Sequence, residues 1–418
     1  MRQKLSSINS SLMQDNSFQD CVKCTLCTAY CPMAAVNPFY IGPKQAGPDG
    51  ERYRLKDKAF YDYALKYCLN CKRCESACPS GVRIGDIIAK AKLDSGQFHP
   101  GLREMILANT DMMGSLAVPF SPIINPVLKW DLSKKMMDGI LGIDHRRTFP
   151  AYAGQTFVRW YKKHAGKAQE AFSKQVYYFH GCYANYNYPK LGQDLIKLMN
   201  ACGYGVRLLE KEKCCGVALI SNGMGGQAKR QARVNLASIR KAGTTVLTTS
   251  TTCTMTLRDE YPHVLGLDNA DVRDNITLAL RFLCEKVESG EIKLAFKSDY
   301  QKKVAYHTSC HAEKQGSWIY SLPLLRLIPG VQLTVLESSC CGISGTFGFK
   351  KENYEYSQEI GAKLFNNIRM ANPDYVATEC ETCKWQIEMS TGFEVINPIC
   401  LLADALDVEA TRKLNQRG

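Results

Sequence analysis

From Val176 onward, short β-branched and aromatic runs alternate with segments of helical apolar spacing. The runs VYYFHGC and VAYHTSC end at Cys182 and Cys310. Each is followed by a second run, VRLLEKEKCCG or LTVLESSCCG, and then a third, VLTTSTTC or YVATECETC. Between them lie amphipathic stretches such as YPKLGQDLIKLMNACG and NYEYSQEIGAKLFNNI. The same order occurs twice, so this part of the chain is an internal duplication. Strand–helix alternation predicts a parallel α/β core with functional residues at the carboxyl ends of the strands. Upstream, Leu55, Ala59, Phe60, Tyr63, Ala64 and Tyr67 predict a helix after a Gly/Pro-rich loop from Pro43 to Gly50. Residues 1–17 are polar and predict a flexible extension.

Composition changes the picture through one residue type. The chain has 418 residues and 20 cysteines. Disulfide scaffolds are short and secreted; a long cysteine-rich chain predicts reduced thiolates that hold metal. The N-terminus has no apolar signal segment, and the charge-free stretch Met112–Leu128 carries Pro119, Pro122 and Pro126, so no spanning helix is expected. A reducing, cytoplasmic setting follows as the expectation.

Two cysteine runs have a strict spacing. Cys21, Cys24, Cys27 and Cys31 are followed by Pro32; Cys68, Cys71, Cys74 and Cys78 are followed by Pro79. This is the two-cluster ferredoxin pattern, in which the fourth cysteine of each run serves the other cluster. Cys21, Cys24, Cys27 and Cys78 are therefore expected on one [4Fe–4S] cubane, and Cys68, Cys71, Cys74 and Cys31 on a second. Zinc sites use two pairs rather than three cysteines and a Cys-Pro, twice over.

The duplicated part carries a second kind of site. Cys310, Cys340, Cys341, Cys380 and Cys383 converge at predicted strand ends in the second repeat, with His307 and His311 nearby. Adjacent cysteines rarely bridge, because the linking peptide strains, so five soft donors predict a metal or cluster site. The first repeat offers Cys182, Cys214, Cys215 and Cys253, with Ser250 where a fifth would stand. Zinc, a degenerate site and buried thiols all remain open there. Gly216 and Gly342 would let the backbone turn sharply or approach the sites closely. Cys202, Cys284 and Cys400 fall outside the pattern and are assigned to the core. The expected fold is an α+β multidomain chain: a flexible extension (1–17), a helical two-cluster ferredoxin domain (18–95), a basic amphipathic connecting region (96–172), and two tandem α/β CCG repeats (173–298 and 299–418).

The stretches NPFYIGPKQAGPDGERYRLKD, YCLNCKRCESACPS, EKEKCCG and CETCKWQIEMST carry a resemblance that runs from about Cys21 to the end. The chain resembles the C subunits of anaerobic glycerol-3-phosphate dehydrogenases. Its CCG repeats are similar, more widely, to the B subunits of heterodisulfide reductases, glycolate oxidase iron–sulfur subunits and an unusual succinate dehydrogenase anchor. The resemblance implies an electron-transferring subunit that partners the flavin-bearing A and B subunits and passes electrons to menaquinone. It also implies a non-cubane [4Fe–4S] cluster in the second CCG site, where the acceptor is reduced. His307 or His311 is a candidate proton source there, since imidazole titrates near neutrality. A glycerol 3-phosphate oxidising site is not expected on this chain. The nearest nucleotide fingerprint, Gly223-x-Gly225-x-x-Ala228, lacks the acidic residue after the next strand.

The formal net charge is +13, and no nucleic-acid motif accompanies it, so nucleic acid is not an expected partner. Between Lys129 and Lys167, nine basic residues, including Lys134, Lys135, Arg146 and Arg147, face three aspartates. Trp130, Met136, Met137, Ile140, Leu141, Phe157, Trp160 and Tyr161 are interleaved. That mixture predicts peripheral contact with an anionic membrane surface, on the cytoplasmic face of the inner membrane. Two other functions fit the same cysteines: a thiol/disulfide redox enzyme of the heterodisulfide reductase type, and a structural anchor with zinc in the CCG site.

Overall fold

A computed structural model describes residues 16–57, 60, 62–94 and 99–416. The expected extension therefore lies outside the described residues, apart from its end, which opens a short helical turn, Asn16–Asp20.

Each repeat is built on a four-stranded parallel sheet. The first holds β1 (Lys174–Phe179), β2 (Tyr204–Leu208), β3 (Val246–Thr248) and β4 (Ile276–Leu278), in the order β2-β1-β3-β4. The second holds β5 (Lys302–Tyr306), β6 (Val331–Val335), β7 (Tyr375–Ala377) and β8 (Val395–Ile396), in the order β6-β5-β7-β8. Helices such as Pro189–Ala201, Gly225–Ala242 and Tyr354–Ala371 cover the faces, as parallel crossovers require. The duplication is thus present in the fold, with a fourth strand in each sheet that the sequence pattern did not signal. β4 and β8 are only three and two residues long, too short to display a period of two. One apolar core runs through both repeats, joining Tyr178, Leu195 and Leu247 to Val304, Tyr306, Leu325 and Leu401. Cys202, Cys284 and Cys400 are buried in it.

The connecting region is helical: α1 (Leu102–Ala108), α2 (Thr110–Ala117), α3 (Ser121–Lys129), α4 (Asp131–Leu141) and α5 (Phe157–His164). Among the described residues no helix is long and apolar enough to cross a membrane. Short helices then follow the strands: α6 (Gly181–Tyr186), α7 (Thr251–Met255), α8 (Cys310–Gln315) and α9 (Glu381–Thr391).

Three local expectations fail. The Gly/Pro-rich segment 43–50 is not a loop: a wide helical turn, Gln45–Asp49, runs into Gly50–Arg54. Arg54 Nη2 donates to the carbonyls of Ala46 and Gly47, each at 3.2 Å, and Arg52 Nη1 donates to Pro48 O at 3.2 Å. These guanidinium bonds tie the Gly/Pro-rich turn to the helix that follows it. The helix expected over 55–67 stops at Arg54 and restarts as a short turn, Tyr63–Tyr67, where Asp62 Oδ1 accepts from Ala64 N at 2.7 Å; Ala59 lies outside the described residues. Finally, part of the basic amphipathic segment faces inward. Phe157 and Tyr161 sit in the core of the first repeat, and Tyr161 Oη donates to Val206 O at 2.8 Å. Arg147 is 1% exposed and donates to Gln386 Oε1 at 2.6 Å. Arg146 is held in ion pairs with Asp144 (2.8 Å) and Glu355 (2.7 Å). Neither arginine is a free surface cation.

Candidate iron–sulfur sites

The two ferredoxin runs fold alike. In the first, Lys23 and Thr25 have φ of 60° and 65°; in the second, Asn70 and Lys72 have φ of 53° and 61°. Non-glycine residues adopt this left-handed backbone at a cost, so its repetition at matching positions marks a purpose. A left-handed residue leading into a right-handed helical turn, Thr25 before Leu26 and Lys72 before Arg73, is the backbone of a concave N–H nest, the kind that receives an anionic cluster. Cys27 lies among Cys21 and Cys78, and Cys31 lies among Cys68 and Cys71. Cys74 is surrounded by Cys71, Cys68 and Cys31. Each group therefore mixes thiols from both runs. Cys24 is exposed on the first turn. Val82 N donates to Cys78 Sγ at 3.4 Å, the type of bond that tunes a cluster sulfur. Burial pushes the Cys31 thiol up to about 12 and the Cys74 thiol well above its ordinary value. A positive centre reverses that preference, since a metal displaces the proton. Eight thiols in nested turns fit two iron–sulfur clusters.

In the first repeat, Cys182 Sγ lies 3.7 Å from Cys214 Sγ. Cys215 bonds in turn to Cys214 and Cys253, so all four sulfurs are together. Asp111, from α2, accepts from Cys214 N at 2.6 Å. Burial, then the neighbouring Cys214, pushes its carboxyl up to about 6. No spacing rule links Asp111 to cysteines about a hundred residues later, and its role was not legible in the sequence. Ser250 caps α7, its Oγ accepting from Cys253 N at 3.3 Å and donating to Glu381 Oε2 at 2.8 Å. The serine at the missing-ligand position is thus a tie between the two repeats.

The second repeat is arranged differently. Cys341 Sγ lies 3.3 Å from Cys383 Sγ, and Cys383 also bonds to Cys380. Those bonds hold the Cys380 thiol down at about 5, against burial. Cys310 and Cys340 instead interact with each other and, through Cys310, with Cys71 of the second ferredoxin run. The five sulfurs form two contact groups joined through the Cys340–Cys341 peptide. Cys340 and Cys310 pack with the ferredoxin cysteines, whereas Cys341, Cys380 and Cys383 pack with the second sheet. Gly342 has φ +86°, and a Cβ there would lie 1.9 Å from Ser357 O. Gly216, at φ +92°, has no such neighbour. Close approach thus applies to the second repeat and positive φ to both. Arg73 lies beside Cys71, Cys310 and Cys340 and pairs with Glu313 at 3.1 Å. Its charge offsets that of converging thiolates, a second function that spacing did not signal.

The two histidines separate. His307 is 0% exposed, and neither ring nitrogen has a hydrogen-bond partner among the described residues. Burial, then Arg73, pushes its imidazole down to about 4. Burial favours its neutral form and keeps the ring away from solvent. His311 Nε2 donates to Asn70 O at 3.1 Å, because a carbonyl only accepts. Its Nδ1 then accepts from Thr252 Oγ1 at 3.0 Å. The ring links the ferredoxin domain to both repeats.

Cysteine-rich CCG domain models match residues 176–258 and 304–388, and a 4Fe–4S dicluster domain matches 17–82. Fold and sites together define a dicluster, CCG-repeat iron–sulfur protein whose work is electron transfer. At 23% identity over 428 residues, covering 96% of this chain and 97% of the relative, it is similar to the glycolate oxidase iron–sulfur subunit of Escherichia coli (strain K12). At 27% identity over 247 residues, covering 56% of this chain and 58% of the relative, it is similar to the D subunit of the dihydromethanophenazine:CoB–CoM heterodisulfide reductase of Methanosarcina barkeri. The match to the C subunit of the anaerobic glycerol-3-phosphate dehydrogenase of E. coli (strain K12) is 56% identical over 398 residues, 94% of this chain and the whole of the relative. The chain belongs to the family of these anaerobic glycerol-3-phosphate dehydrogenase C subunits.

Proposed function

We propose that this chain carries electrons from the flavin-bearing A and B subunits of an anaerobic glycerol-3-phosphate dehydrogenase to menaquinone, at the cytoplasmic face of the inner membrane. The observation that carries this reading is the contact of Cys71 with Cys310. It sets the ferredoxin thiols directly against the second CCG site, so the two need no intervening carrier. When bound, iron–sulfur clusters supply single-electron chemistry at potentials set by charge, hydrogen bonds and exposure. Cys21, Cys24, Cys27 and Cys78 would hold one cubane, and Cys31, Cys68, Cys71 and Cys74 the other. Cys310, Cys340, Cys341, Cys380 and Cys383 would hold a non-cubane [4Fe–4S] cluster. Cys182, Cys214, Cys215 and Cys253 would hold a further metal, with zinc the simplest fit to four thiols. The protein excludes water from these sulfurs by burying most of them.

Membrane association is supported by α2–α4 and their connections, where Leu116, Phe120, Ile123, Trp130, Met136 and Ile140 are all exposed. Exposed lysines at 129 and 135 flank them. An apolar array beside cations suits an anionic lipid surface.

The test is Cys341→Ser in the assembled complex. Electron delivery to quinone should be abolished while the flavin subunits still reduce an artificial dye. Full quinone activity would show that electrons leave from a cubane.

A further inference from the structure

A cavity of about 390 Å³ lies where the connecting region meets both repeats. Phe149, Tyr183, Tyr188, Lys384, Trp385 and Met389 are among the residues lining it. The volume falls in the range of small-molecule sites, and the lining has their usual make-up of aromatic faces with a few polar groups. Tyr183 and Trp385 stand 5.9 Å apart between ring centroids at 60°, and Tyr183 and Tyr188 stand 6.0 Å apart at 32°. These rings are half-buried, so they keep surface that a flat ring could cover. Lys384 Nζ donates to Glu388 Oε1 at 2.5 Å and to Val395 O. An ammonium has three donors, so one N–H remains for a ligand carbonyl.

Two features fix what this cavity serves. The first is its position relative to the cysteines: Lys384 and Trp385 directly follow Cys383 on α9. A narrower crevice, also walled by Tyr183, Tyr188 and Lys384, continues to Cys380. The second is its tie to the exposed apolar helices. The cavity wall 148–151 leads into Tyr152, whose N–H donates to Asn125 Oδ1 at 2.9 Å, while Asn125 Nδ2 donates to Tyr152 O at 2.8 Å. Asn125 lies on α3, whose other face exposes Ile123 (67%) and Val127 (46%). A soluble substrate has no use for such a neighbour; a ring with a long hydrocarbon tail does.

We propose that this cavity binds the head ring of a quinone, packed against the exposed sides of the Trp385 and Tyr183 rings, with Lys384 at a carbonyl oxygen. The tail leaves along α3. This deepens the quinone reading given above and rests on it. Reduction takes two electrons, arriving singly from the cysteine sites and released by oxidation of the dehydrogenase's secondary alcohol. It also takes two protons, from water at the cavity mouth; both C=O groups become C–OH. Tyr183, Trp385 and Lys384 are binding residues and exchange no electrons or protons in this scheme.

The experiment uses the assembled, cluster-loaded complex with a short-chain naphthoquinone and a photoreactive azido analogue of it. In the wild type, peptide mapping should place the label on α9 or on Phe149–Asn187. Trp385→Ala should raise the quinone KM about tenfold, the scale of one lost ring contact, and lose the label, with dye reduction unchanged. Trp385→Phe should restore both to within about threefold. Met389→Trp, which fills the cavity without removing a ring, should also exclude the label. It decides the matter if Trp385→Ala fails to keep its clusters. A wild type that reduces quinone while Trp385→Ala and Met389→Trp keep wild-type KM and labelling overturns the pocket alone. A wild-type complex that neither reduces nor takes up the quinone overturns the quinone reading beneath it. Label displaced by a soluble disulfide but not by quinone assigns the cavity to a thiol substrate and overturns both.

Discussion

Arg146 and Arg147 are neighbours of identical chemistry with opposite fates. The turn closed by Arg147 N on Asp144 O (3.1 Å) sends Arg146 out to Glu355 and Arg147 in against Phe349, 4.8 Å from its ring centroid. Arg147 therefore acts through packing. Arg147→Ala should cost about 2–4 kcal/mol, as expected for emptying a core position. Arg147→Met, which keeps the stem and buries no charge, should cost clearly less. Urea midpoints measure both, and sedimentation with anionic vesicles should be unchanged in either. Lost lipid binding at an unchanged midpoint would return Arg147 to the surface. The contrast explains what the sequence disclosed at this scale. The eight ferredoxin cysteines are legible because the sites are made by local turns of fixed spacing. Arg147, Asp111 and the burial of His307 are set by partners far away along the chain, and nothing local reports them.

Among elements, the helices of the connecting region carry the same lesson. Their amphipathic character was legible, but α5 turns its apolar face into the first repeat while α3 and α4 leave theirs uncovered. Composition cannot separate a face that packs from one that does not. Ile123 is 67% and Ile140 75% exposed, so they contribute little to folding in water. Inserted into a headgroup layer, each would gain about 1 kcal/mol or more. The double variant Ile123→Ser/Ile140→Ser should therefore weaken vesicle binding by about tenfold or more while the urea midpoint holds. Raising salt should release the wild type only in part, because screening acts on charge and leaves apolar insertion intact. Complete release by salt, with the double variant still binding normally, would assign the contact to the lysines alone.

At the scale of the whole molecule, the residues between the cysteines of the second ferredoxin run do the assembling. Lys72 Nζ lies 2.5 Å from Asp86 within the ferredoxin domain and 3.6 Å from Glu260 of the first repeat. Asn70 Nδ2 donates to the same Glu260 at 2.7 Å, and Asn70 O accepts from His311 of the second repeat. Glu75 meets Lys314 at 3.0 Å and Arg73 meets Glu313 at 3.1 Å, both also in the second repeat. The α/β duplication and the cluster motifs were legible as separate parts. Their docking was not, because variable positions inside a cysteine motif carry no spacing signal. Lys72 and Glu260 are buried, at 2% and 0% exposure, so their charges are stable only as a set. Lys72→Met removes the ammonium from beside Asp86 and Glu260, leaving Asp86 only the imidazole of His263 at 3.8 Å, and should cost about 3–5 kcal/mol. Far-UV circular dichroism and visible cluster absorbance, followed together through a urea titration, test whether that cost is shared. If the contacts weld the three parts into one cooperative body, both signals in Lys72→Met move to lower urea in a single transition. Cluster absorbance falling early while the dichroism midpoint stays at its wild-type value would show a ferredoxin domain that unfolds alone. The Cys71–Cys310 contact would then be a docking that opens and closes, rather than a fixed junction in the electron path.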